Sequence, residues 1–80
     1  MKYAVAWKPS AEQELTRLWG DAVDRAAITE AANALDHDLA ADPYRISESR
    51  TGATRIAFEA PLAVLFEVDQ TARVVDVLKV

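Results

Sequence analysis

The side chains of this chain that could do chemistry are few and scattered. Its one histidine, His37, lies between Asp36 and Asp38, the setting of an acid–base group or a ligand. The apolar positions around it recur at helical spacing and leave His37 off their face, so a solvated imidazole is expected. Asp36, Asp38 and Asp42 suggest a cation site. Calcium, however, takes about six or more oxygens in a folded loop, and a solvated acidic helix end is the expected reading; no metal ion or cofactor is implied. Arg50, Arg55 and Arg73 are the candidates for a basic patch that would meet phosphate, and they are equally suited to pairing with Glu48, Glu59 and Asp76. Trp7 and Trp19 offer faces on which a base could stack, yet each falls on an apolar stripe and core packing is expected. Two glycines and one off-face histidine cannot supply a glycine-rich phosphate loop or a Ser/His/Asp set.

The limits on the whole chain are set by size and charge. Eighty residues make a single domain, 1–80, and a chain of this size buries only about 60% of its unfolded surface. The core is therefore small and no large pocket is expected. The absence of cysteine excludes a disulfide framework and a thiolate metal site, which suits a reducing cytosol. There is no apolar run of about 20 residues, and the first seven residues are too short and too regular for a signal peptide. A mature, soluble, cytoplasmic protein is expected. The net charge of −4 argues against a surface that grips nucleic acid all round.

The elements that must position these residues follow from periodicity. Arg55 to Val80 reads as three strands with two tight turns. Arg55–Glu59 alternates at period two, with Ile56 and Phe58 expected inward, and Ala60-Pro61 breaks the run. From Leu62, one side carries Leu62, Val64, Phe66 and Val68, and the other carries Ala63, Leu65 and Glu67. Asp69–Ala72 is a polar turn. In Arg73–Val80, Val75 and Val77 are placed inward because the alternative would bury Asp76 unpaired, leaving Val74, Leu78 and Val80 outside. Earlier in the chain, Tyr3, Val5 and Trp7 alternate in a first strand ended by Pro9. Ser10 and Gln13 make a capping box, Ala11, Leu15, Leu18 and Trp19 form a helical stripe, and Gly20 reads as its stop. Asp21 with Asp24 opens a second helix whose buried side is Val23, Ala27, Ile28, Ala31, Ala34, Leu35 and Leu39, ended by Asp42-Pro43. Residues 44–51 are a polar connector with a short extra strand suggested around Arg45 to Ser49, and Gly52 supplies a turn. The predicted order is β-α-α-β-β-β.

The opening Tyr3-x-Val5-x-Trp7-x-Pro9-x-Ala11, the Leu15–Trp19 helix, the Asp42-Pro43 helix end, the Arg55-Ile56-x-Phe58 strand and the ending from Val64-Leu65-Phe66-Glu67-Val68-Asp69 to Val74-x-x-Val77-Leu78-x-Val80 together resemble the RelE/ParE superfamily of toxins from type II toxin–antitoxin systems, over nearly the whole chain. The resemblance implies an α+β fold, a helical hairpin on one face of a small, mainly antiparallel sheet. It implies a growth-inhibiting toxin of a plasmid-stabilisation type of module, neutralised by a cognate antitoxin, with either DNA gyrase or the ribosome and its messenger RNA as target. RelE-like members are messenger endoribonucleases whose basic side chains activate the ribose hydroxyl and neutralise the scissile phosphate. In this chain Arg55 matches one basic strand position, but Ala57 and Ala63 stand at two others, and the chain stops at Val80 before the C-terminal catalytic positions. Arg50, Arg55 and Lys79 are what remains for a nuclease. The resemblance therefore points to a toxin acting by protein contacts, gyrase-type or catalytically degenerate.

The layered architecture adds an inference of its own. Two short helices cover one side of the sheet, and Ala57, Ala63, Leu65, Val74, Leu78 and Val80 are expected to put apolar surface on the other. Exposed patches of several hundred Å² mark binding sites. The expected partner is an antitoxin segment laid on the sheet or along its edge, or a second copy of the chain in a homodimer.

Overall fold

The computed structural model describes residues 2–50 and 52–80. Strand β1 (Ala4–Trp7) leads into helix α1 (Pro9–Asp21) and helix α2 (Arg25–Ala41), followed by β2 (Ser47–Ser49), β3 (Thr54–Glu59), β4 (Leu62–Asp69) and β5 (Val74–Lys79). The strands form one sheet in the order β1-β5-β4-β3-β2. Strand β1 runs parallel to β5, and the other pairings are antiparallel. The expected α+β architecture is present, with the suggested extra strand realised as β2.

The helix ends form differently from their sequence signals. Pro9 has no amide hydrogen to leave unsatisfied and a preset φ, so it starts α1 at the first position, with Lys8 as the N-cap and no side-chain cap bond. Ser10, expected as the cap, instead donates its hydroxyl to the Leu78 carbonyl at 3.4 Å. At the other end the helix runs through Gly20 to Asp21. There the Trp19 carbonyl accepts from the Ala22 amide at 3.4 Å, and Arg25 adds to it, its Nε donating to Trp19 O at 3.2 Å and its Nη2 to Gly20 O at 3.1 Å. A side chain from the next helix thus takes part in what a left-handed glycine was expected to do. Of the two acids expected to open α2, Asp24 is its N-cap, accepting from the Ala27 amide at 3.1 Å, whereas Asp21 ends α1.

The core lies between the hairpin and one face of the sheet. It joins Ala11, Ile28, Ala31, Leu35 and Leu39 to Ala57, Leu62, Val64, Phe66, Val75 and Val77, with Tyr3, Val5, Trp7 and Val68 packed against it. The inward assignments of β1, β4, Val75 and Val77 hold. Strand β3 faces the opposite way from expectation: Ala57 is fully buried, whereas Phe58 is 62% exposed. Successive strand side chains alternate, so Ile56 joins Phe58 on the far face. Pairing with β4 decides the facing: Ala57 lies opposite buried Val64 and so turns toward the helices, whereas Phe58 lies opposite Ala63 on the other side. Val80 also returns to the core. Phe66 pairs with Val77 but Leu65 pairs with Lys79, so one extra residue in β5 resets its alternation. Val23 is fully exposed in the loop between the helices, where no strand lies beneath it.

Candidate functional site

The face of the sheet away from the helices is open. Register places Phe58 opposite Ala63, Ile56 opposite Leu65 and Glu48 opposite Ile56. Across the next ladder Glu67 lies opposite Asp76, Asp69 opposite Val74, and Lys79 opposite Leu65. Ile56, Ala63, Leu65, Val74 and Leu78 are half-buried and none of them belongs to the core cluster. Of the six residues predicted for a partner-facing surface, Ala63, Leu65, Val74 and Leu78 therefore stand on this face. Ala57 and Val80 do not, for the packing and register reasons given above. Sequence reasoning missed Phe58, the most exposed large apolar side chain of the sheet. The strand's own pattern, with Ile56 and Phe58 on one side against Arg55, Ala57 and Glu59 on the other, carried no signal for this facing.

The face carries an acidic pair where Glu67 lies opposite Asp76, with Lys79 further along opposite Leu65. Two carboxylates directly opposed on neighbouring strands repel, and that is the arrangement of Glu67 and Asp76. Asp76 meets the Lys8 ammonium at 3.9 Å, with both side chains partly exposed. It does not meet Arg73, whose guanidinium stands 5.3 Å from the centre of the Tyr3 ring. Asp69 is occupied in the β4–β5 turn, accepting from the Ala72 amide at 3.0 Å.

The residues proposed for RNA cleavage are not brought together. Arg55 pairs in register with buried Phe66 and so projects on the helix side, whereas Lys79 registers with Leu65 on the open side. The Arg55 guanidinium is already engaged: Nε donates to Ser47 Oγ at 2.7 Å, Nη1 to Ser49 Oγ at 3.1 Å and Nη2 to Ser47 O at 3.1 Å, above the Tyr44 ring at 5.0 Å. It is a clamp that fastens β2 to β3. Arg50 is exposed beside the β2–β3 connection, where its amide donates to Thr54 O at 2.8 Å.

His37 is exposed, and among the described residues no His, Cys, Asp and Glu group is placed to hold a metal ion. Trp7 packs on the core, its indole N–H donating to Asp36 Oδ1 at 3.4 Å. Trp19, expected in the core, is 43% exposed at the hairpin tip, with the Arg25 guanidinium 4.7 Å from its ring centre. Together with Leu15, Ile28 and Ala32 it borders an open groove of about 270 Å³ between the helices. No described helix is long and apolar enough to cross a membrane.

The sequence matches no protein-family model and no curated protein. The fold does have a solved counterpart. A chain in the crystal structure of the toxin–antitoxin complex RelBE2 from Mycobacterium tuberculosis superposes with a TM-score of 0.81 at 19% sequence identity, over 99% of this chain and 95% of that one. The two share one α+β fold, two helices on a five-stranded sheet.

Proposed function

We propose that this chain is the toxin component of a type II toxin–antitoxin module, acting in the cytoplasm through protein contacts and held inactive by a cognate antitoxin on the open sheet face. The observation that carries this reading is the makeup of that face. In a RelE/ParE-like fold, the surface away from the helices presents exposed Phe58 opposite Ala63 and Ile56 opposite Leu65, with Leu78 on β5 and the opposed carboxylates of Glu67 and Asp76 further along. An apolar surface of this kind is suited to another polypeptide. Messenger RNA brings one negative charge per phosphate and is disfavoured by the same carboxylates. Arg55 supports β2, and Ala57 lies under the helices, so neither supplies a donor for a scissile phosphate.

Controlled expression tests the reading. Growth arrest relieved by the small protein encoded beside this chain, with messenger intact and DNA supercoiling by gyrase inhibited, is the expected result. Messenger cleavage in a translating extract that is lost in Arg55→Ala, while the variant remains folded, would establish the endoribonuclease instead.

A further inference from the structure

We infer that the contact segment this face accepts is cationic and amphipathic, a stretch of partner polypeptide whose apolar side chains cover Phe58, Leu65 and Leu78 while its lysines or arginines meet Glu67 and Asp76. The inference rests on the toxin–antitoxin reading only for which protein supplies that segment. The chemistry comes from the face itself.

An apolar half and an acidic half lie side by side there. Phe58 is 62% exposed with Ala63 across from it, and Leu65 stands beside Ile56. Next along β4 from Leu65 on this face is Glu67, directly opposite Asp76. Carboxylates so placed weaken the free sheet. Lys8, reaching Asp76 at 3.9 Å with half of its own side chain exposed, offsets little of that repulsion, since such pairs are screened by water and salt. A cation arriving from outside meets two carboxylates and removes a repulsion that the free chain carries. The same charges disfavour other occupants. A two-fold dimer built on this face would bring the acidic half of one copy of a chain of net charge −4 near that of the other, and nucleic acid or an anionic lipid surface carries the wrong sign.

The test uses the full chain and two synthetic peptides of equal length with valine and leucine at the same alternate positions, one carrying lysine between them and the other glutamate. Fluorescence anisotropy titration at about 50 mM salt should give the lysine peptide roughly tenfold tighter binding, the effect of two rim ion pairs, and the ratio should fall toward one at about 500 mM. The double variant Glu67→Gln/Asp76→Asn should lose the preference, and Phe58→Ser should weaken both peptides; circular dichroism confirms that each variant is folded. Equal binding of the two peptides, binding of neither, or a preference that survives in the double variant overturns the inference. So does a dimer in sedimentation that Phe58→Ser dissociates, or tight binding of a uridine oligonucleotide. Growth assays separate the two proposals. A chain that leaves growth unaffected yet keeps the lysine preference removes the toxin reading alone, and a toxic chain without the preference removes this inference alone.

Discussion

The two phenylalanines of the chain offer a direct test of which sheet face is covered. Phe66 on β4 is fully buried and Phe58 on β3 is 62% exposed, so the same substitution should have very different effects at the two sites. Truncating a buried phenylalanine costs about 3–5 kcal/mol through lost transfer and the cavity left behind. At roughly 0.05–0.15 kcal/mol per residue, a chain of this length has only about 4–12 kcal/mol in total. Phe66→Ala should therefore remove a large share of the stability and in a marginal background unfold the chain. Full burial of a phenylalanine is worth about 1.5–3 kcal/mol. Only about a third of the Phe58 surface is covered in the free chain, so Phe58→Ala should cost roughly 0.5–1 kcal/mol there. In the proposed complex the order should reverse, because an aromatic anchor in an interface is worth about 2 kcal/mol or more, a loss of roughly thirtyfold in affinity. Urea unfolding followed by circular dichroism gives the first quantity, and titration of the folded variant with the neutralising partner gives the second. If Phe58→Ala destabilises the free chain as much as Phe66→Ala, the facing of β3 is wrong. If it leaves partner affinity untouched, the open face is not the docking surface.

Three further outcomes follow from single contacts. Arg55→Ala removes three donors to β2 and the stack on Tyr44; it should cost about 1–3 kcal/mol and open residues 44–50 to limited proteolysis, with Arg55→Lys restoring little because the planar fork is lost. Glu67→Gln removes one of two opposed carboxylates and should stabilise the free chain by roughly 0.2–1 kcal/mol at low salt; thermal melts should show the gain shrinking as salt rises. Asp24→Ala deletes the side-chain cap of α2 and should lower the urea midpoint by the equivalent of about 1 kcal/mol, with Asp24→Ser keeping most of it.

Much of the architecture is set locally. Period-two alternation in Val5–Trp7 and Leu62–Val68, the helical stripe through Ile28, Ala31, Leu35 and Leu39 and the break at Ala60-Pro61 each depend on neighbours in sequence, and each formed as its pattern required. Helix ends were less legible. Whether Gly20 or Arg25 satisfies the last carbonyls of α1 depends on where the next helix starts.

What the sequence by itself determined is a helical hairpin over one side of a small sheet, with Val64, Phe66, Val75 and Val77 beneath it and a second apolar side left over. The tertiary structure alone decided which side of β3 that is. Ile56 and Phe58 are more apolar than Ala57, and alternation by itself turns them inward. Once β3 pairs with β4, however, Ala57 lies opposite buried Val64 and Phe58 opposite Ala63, because directly paired residues share a face of the sheet. The extra residue in β5 acts in the same way on Val80 and Lys79: a register shift against β4 reverses their facing, and pairing between distant strands is invisible in the order of residues along one.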